Sequence, residues 1–220
     1  MARSARVLRD QHGPPQALRQ HLIDVTQRLL AAHGVTGLTT RTIAREAQVA
    51  DGVLYNHFAD KDDLVLVALV ERFTQLGLQF TAGCPRPGAQ DLRDGLRTVV
   101  QQCRRFQSDA FPMVAGLLGS PDLLHALFSR LHGVDGGMPR LVWGDIVEYL
   151  AAEQALGTIS PDVAPHTIAT VIFGASQFDA LREPLTWAAT GGAPEPPADP
   201  AAPDAAIDQL VEVLVRACRP

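Results

Sequence analysis

Residues 39–64 read TTRTIAREAQVADGVLYNHFADKDDL, and this stretch decides the fold. It holds three helix starts in succession. Thr39 is an N-cap ahead of a short apolar-periodic run of Ile43, Ala44 and Ala47, since its hydroxyl can accept from an N–H that the first helical turn leaves free. Val49 closes a tight turn. A second short helix is predicted from Asp51 to His57, with Val53, Leu54 and Phe58 as its larger apolar residues. Asp60 then reads as the N-cap of a third helix, with Asp63 three residues on in a capping-box arrangement. Two short helices joined by a tight turn and followed at once by a long apolar helix make the helix-turn-helix pattern.

The 220-residue chain has room for one large domain or two small ones. A hydrophobic content of 46% supports a core, and 20% charged residues argue against wholesale disorder. No apolar run reaches the roughly eighteen residues of a membrane span, and MARSARVLRD lacks the apolar centre of a signal peptide, so a cytoplasmic location is expected. Cys84, Cys103 and Cys218 are far apart and form no C-x-x-C pair. They are expected to be reduced thiols, with no metal or cofactor. The net charge of −5 is unevenly distributed: through Lys61 eight basic residues face five acidic ones, leaving −8 on the remainder. A basic head on an acidic body suits a chain that touches a polyanion at one end.

Taken in order, residues 1–13 carry three arginines and read as a mobile basic arm, either a frayed terminus or a segment lying along DNA. A helix starts at Pro14-Pro15, with Leu18, Leu22, Val25, Leu29 and Ala32 as its apolar stripe, and ends at Gly34. With residues 39–60 it makes a three-helix domain over 14–60. The helix after it, from Lys61 to about Phe80, is so apolar over Leu64–Val70 that it must be buried on several sides, as a connecting helix over 61–83 would be. CPRPG at 84–88 marks the boundary to a helical domain over 84–220. Helices are expected there over 89–106, 110–118, 121–131, 139–155, 165–182 and 205–218, with GVDGG at 133–137 and a proline-rich stretch at 184–203 as loops. No alternating stretch is long enough for a sheet. The fold class is all-α.

Phosphates fix a protein's register on a duplex, and base edges carry the sequence. Lys61, the chain's single lysine, stands in the first turn of the third helix, where a point charge beside free N–H groups suits a phosphate. Tyr55 and His57 add a phenol and an imidazole, both able to donate to phosphate oxygens. Gly37–Leu64, with GLTTRTIAREA, a turn, LYNHF and DKDDL in sequence, resembles the DNA-binding domain of the TetR family of bacterial regulators. With the preceding helix the resemblance covers about residues 15–80; beyond them the chain is similar in layout alone. It implies a palindrome-binding homodimer, a repressor released by a small-molecule effector. It also implies that Thr39 and Thr40 meet phosphate and that Arg41 reaches a base edge or the backbone. Asp51, Gly52, Val53 and Asn56 would face the groove, while Tyr55, His57 and Lys61 hold phosphates. Leu54 and Phe58 would be core.

Three positions depart from the family's pattern. Gln48 stands where the turn glycine is usual, at a cost of about 1 kcal/mol if that residue is left-handed. Ala50 replaces the usual hydroxyl cap. Asp51 points an acid at DNA, unfavourable unless it accepts from a cytosine amine. Val53 suits a thymine methyl and Asn56 an adenine edge.

One such unit touches few base pairs, so two are needed, about one DNA turn apart. The apolar helices at 165–182 and 205–218 are the expected dimer interface, against the alternative that both pack inside a monomer. Adaptable apolar residues gather over 89–155, so a small-molecule pocket is expected from Phe106, Phe111, Met113, Leu117, Phe128, Met138 and Trp143, with polar groups from Gln102, His125, Glu148 or Gln177. No H-E-x-x-H, G-x-S-x-G, Walker A or dinucleotide glycine pattern is present, so no enzyme activity is expected. The alternative function is a helical small-molecule carrier or sensor without sequence-specific DNA binding.

Overall fold

The computed structural model describes residues 15–35, 37–132, 139–190 and 202–220. These are helical, with no strand among them. The order is α1 (Pro15–His33), α2 (Thr40–Glu46), a 3-10 helix (Asp51–Asn56), α3 (Lys61–Gly83), α4 (Leu92–Leu117), α5 (Pro121–His132), a π-helical segment (Pro139–Gly144), α6 (Asp145–Ala155), α7 (Pro165–Thr190) and α8 (Ala202–Cys218). The expected arm at 1–13, the GVDGG loop and Met138 lie outside the described residues.

Two compact units emerge. One takes the chain up to Phe73 together with Pro112–Leu131; the other takes Thr74–Phe111 and everything from His132 on. The division therefore falls inside α3 and α4. In the first unit Leu22, Ile23 and Val25 of α1, Ile43 and Ala44 of α2, and Leu64, Val65, Ala68 and Leu69 of α3 are fully buried. Leu54 and Phe58 close this core from the 3-10 helix and the turn after it, and the Arg19 guanidinium lies 5.0 Å from the centre of the Phe58 ring. Burying a Leu or Phe side chain contributes about 1.5–3 kcal/mol, so these apolar residues fix where the short helices sit. By length and composition alone α3 would also suit a membrane, but half of its apolar window is buried inside the protein.

The second unit is tied by its polar groups as well as its core. Arg93 and Arg97 of α4 pair with Glu212 and Asp208 of α8, and Arg104 lies 3.5 Å from Asp179 of α7. Glu153 is 1% exposed and gathers three donors: the Gly88 N–H at 2.8 Å, the Thr158 hydroxyl at 2.6 Å and the Tyr149 phenol. Burial first, then the charge of Glu153, pushes the Tyr149 hydroxyl well above its usual pKa. A Cβ on Gly95 would stand 2.0 Å from that hydroxyl, so the glycine makes room for the cluster.

Several helix limits differ from expectation. The helices expected at 89–106 and 110–118 form one, Leu92–Leu117, running through Pro112. Proline removes the bond to the carbonyl of residue 108, but Ser108 and Pro112 are both exposed, so water can take that carbonyl. Helix α7 likewise runs past Pro184 to Thr190, and α8 begins at Ala202, so the expected loop narrows to residues 191–201, outside those described. The second short helix is a 3-10 helix ending at Asn56. The helix expected over 139–155 opens with a π-helical turn and becomes α-helical at Asp145.

Candidate nucleic-acid interface and cavity

The first short helix is held at both ends by local hydrogen bonds. Thr39, in an extended conformation, accepts the Thr42 N–H on its hydroxyl at 3.0 Å. At the other end the Gln48 N–H meets the Arg45 carbonyl at 3.2 Å and the Val49 N–H meets the Ala44 carbonyl at 2.9 Å. These bonds form a Schellman ending, which puts its C′ residue in the left-handed region. That residue is Gln48, with φ of 56°. Helix α6 ends in the same pattern, and there the position is Gly157, with φ of 79°.

The 3-10 helix that follows starts without a side-chain cap, because Ala50 has no acceptor to offer. It is anchored instead by Leu54, 2% exposed, whose carbonyl takes both the His57 and Phe58 N–H groups at 3.0 Å. Asp60 then accepts the Asp63 N–H at 2.8 Å, and Asp63 accepts the Ala59 N–H at 3.2 Å. This reciprocal pair sets the start of α3 in the manner of a capping box. Arg130 of α5 adds a bond of 3.1 Å to the same Asp63 carboxylate.

Leu54 and Phe58 turn inward, and the groups able to meet a duplex point out. Thr39, Arg41, Asp51, Gly52, Tyr55 and Asn56 are exposed, with Tyr55 at 59% although it is aromatic. Thr40, Val53, His57 and Lys61 are half-buried. The Arg41 guanidinium stands 3.9 Å from the Asp51 carboxylate, and Lys61 lies 3.2 Å from Asp62. The Arg41–Asp51 pair was missed from sequence, because ten residues separate partners that only the tight turn brings together.

In the second unit a cavity of about 210 Å³ opens between α3 and α4. Leu76, Gln79 and Phe80 line it from α3, and Gln102, Arg105, Phe106 and Asp109 from α4. Phe80 and Phe106 meet edge to face at 6.4 Å between ring centres. Of the eleven residues expected at a pocket, Met138 lies outside the described residues, and Gln102 and Phe106 are brought together here. Phe111 is half-buried further along α4. Met113, Leu117, His125 and Phe128 belong to the first unit, on the end of α4 and on α5. Trp143 packs edge-on against His166 at 5.2 Å, while Glu148 and Gln177 are exposed on α6 and α7. Gln79, Arg105 and Asp109 were missed. Their signal was present: 76, 79 and 80, and 102, 105, 106 and 109, each repeat as one helical face.

Comparison with known proteins agrees with the short-helix geometry. Residues 22–68 match the family model described as bacterial regulatory proteins, tetR family. Residues 22–68 thus carry a TetR-family module. It is 34% identical over 99 residues to the HTH-type transcriptional regulator AcrR of Shigella flexneri, covering 41% of this chain and 46% of that protein. The match thus spans about half of that relative's length. It is 26% identical over 171 residues to the HTH-type transcriptional regulator Mb1846 of Mycobacterium bovis, covering 76% of this chain and 69% of the relative. Among solved structures, the fatty acid degradation regulator FadR of Bacillus halodurans superposes with a TM-score of 0.63 at 16% identity, covering 90% of this chain and 95% of the other. FadR of Bacillus subtilis, solved in complex with stearoyl-CoA, gives 0.60 at 15% identity, covering 91% and 99%. At such identities the likeness establishes the fold. These relatives are regulators, and the TetR family is not a family of enzymes.

Proposed function

We propose that this chain is a ligand-responsive transcriptional repressor of the TetR family, acting in the cytoplasm as a homodimer on a palindromic operator and released by a small-molecule effector. The observation that carries the reading is the row of outward groups on two short helices, Thr39, Arg41, Tyr55 and Asn56, backed by the buried Leu54 and Phe58. Thr39, Thr40, Tyr55, His57 and Lys61 hold phosphates. Arg41, Val53 and Asn56 read base edges, beside Asp51 and Gly52. Function is divided among an N-terminal arm (1–13), a DNA-binding domain (14–60), a connecting helix (61–83) and an effector and dimer domain (84–220).

The dimer is supported by apolar residues with no cover. Val171, Phe178 and Leu185 recur every seven residues along α7 at 43%, 63% and 56% exposure, and Val213 of α8 is 62% exposed. Such a stripe is costly in water and is the natural seam of a bundle made by two chains, through 165–182 and 205–218. The effector reading is supported by the cavity between α3 and α4. A ligand that prefers a conformation with the wrong spacing between the two reading helices would release the operator.

The test is retention of the DNA upstream of the chain's own gene by purified protein, at several salt concentrations. Binding should fall steeply with salt, as phosphate clamping requires. Asn56→Ala should cost about 1–3 kcal/mol on the selected site and relax preference at one base pair. Failure to retain any genomic fragment would overturn the regulator reading in favour of a carrier.

A further inference from the structure

The cavity between α3 and α4 has a chemical polarity that specifies what it takes. Its floor is apolar: Leu76, Phe80 and Phe106 are 3%, 2% and 5% exposed, so a ligand entering it leaves water for an aromatic surface. Its rim is polar, made of Gln79, Gln102, Arg105 and Asp109. The seat of Gln102 is built into the backbone of α3. A Cβ on Gly83 would lie 2.5 Å from the Gln102 carboxamide carbon and 2.6 Å from its oxygen, so this carboxamide keeps its place because residue 83 is a glycine.

The two charged rim groups differ in availability. Asp109 is already engaged in an interaction of its own. Arg105 is exposed, and no hydrogen bond or ion pair holds its guanidinium among the described residues. An unengaged guanidinium lining the same cavity as two phenyl rings offers a two-point fork to a planar anion and leaves the ligand's apolar body to the rings. A second negative charge on the ligand would meet the Asp109 carboxylate, which selects against dianions and phosphate esters. The volume of about 210 Å³ suits a compact body seated against the rings.

We propose that this cavity binds a small monocarboxylate with a compact apolar body, its carboxylate on Arg105 and Gln102 and its body on Phe80 and Phe106. The assignment rests on the reading of the chain as an effector-responsive regulator and names the chemical class of that effector. The probes are benzoate and hexanoate, which share the charge and differ in the shape of the body, titrated calorimetrically into the full-length protein near neutral pH. At least one should bind, and its neutral amide, benzamide or hexanamide, should bind about tenfold more weakly, since it lacks the charge for a two-point bond to arginine. Arg105→Gln should lose about tenfold in carboxylate affinity and abolish the difference from the amide. Gly83→Ala, which displaces the Gln102 carboxamide, should weaken the carboxylate as well, whereas Arg86→Gln, away from the cavity, should not.

No binding of either acid, equal binding of acid and amide, or full affinity in Arg105→Gln would overturn the assignment. DNA retention measured on the same samples separates the two readings. Retention without carboxylate binding removes the ligand class and leaves the regulator; carboxylate binding without retention does the reverse.

Discussion

The Arg41 guanidinium and the Asp51 carboxylate stand 3.9 Å apart across the turn between the two short helices, with side chains 87% and 66% exposed. A pair so open to solvent contributes little to folding, within about 1 kcal/mol. On the proposed DNA-binding reading its consequence is for DNA, because a cation placed to meet the duplex would be partly neutralised by an acid on the neighbouring element. Asp51→Asn should therefore bind DNA roughly fivefold more tightly, equivalent to about 1 kcal/mol of relieved repulsion. The log–log salt dependence should steepen by about one unit as Arg41 is freed for phosphate. Fluorescence anisotropy over a salt series measures both. Weaker binding with a lost preference at one base pair would instead make Asp51 a reader of cytosine.

Gln48 and Gly157 occupy the same place in two Schellman endings, at φ of 56° and 79°. The glycine adopts that conformation freely, whereas an L side chain there costs about 1–2 kcal/mol. Gln48 is exposed, so its side chain adds no packing that would offset the cost. Gln48→Gly should stabilise the chain by about 1 kcal/mol and raise the thermal midpoint by about 2–4 °C. An unchanged or lower midpoint would mean that the Gln48 side chain makes a favourable contact in the native state.

Burial holds the thiols in their neutral form. It is the main cause that pushes Cys84 up to about 12, helped by the charge of Asp145, and Cys103 up to about 11, and it also raises Cys218. Unfolded, these groups titrate near 9.0. Between that value and the folded one the native state binds more protons than the unfolded state, so stability is intact below pH 9 and falls as pH rises towards 11–12. Because the thiolate is the reactive species, iodoacetamide at pH 8 should modify the native protein far more slowly than the urea-unfolded chain. Denaturation midpoints should fall progressively between pH 9 and 11. Rapid native labelling at Cys84 would contradict this account of its surroundings.

Helix order was legible because most apolar residues repeat at helical spacing, and the Thr39 and Asp60 caps were legible because each leaves a local chemical signature. The left-handed Gln48 could be read from its place in the turn, since the hydrogen-bond pattern there demands φ above zero whatever the residue. Pro112 was expected inside a helix, but that helix was expected to begin only at residue 110, whereas α4 runs unbroken from Leu92. A proline stops a helix only when the carbonyl it orphans has no other partner, and whether residue 108 faces water is a tertiary fact. The cavity was half legible: Gln102 and Phe106 were singled out for their type, while nothing about Arg105 and Asp109 marks a pocket until α3 is placed against them. Trp143 and Phe128 were chosen for size and adaptability, which core packing rewards just as well.

Phe178 is the most exposed aromatic of the described residues, and it lies midway between Val171 and Leu185 on the bare stripe of α7. An arginine in its place has water around it in a single chain but must be desolvated in a two-chain bundle. Phe178→Arg should therefore leave the thermal stability of the isolated chain within about 0.5 kcal/mol, the range of ordinary surface changes. It should also shift the sedimenting species from twice the chain mass to the 23.6 kDa of one chain. Retention of a palindromic fragment should fall with it, because a single reading unit cannot span two half-sites about one DNA turn apart. A variant that still sediments as a dimer would place the interface elsewhere on the chain, and one that retains the palindrome as a monomer would remove the dimer from the proposed mechanism.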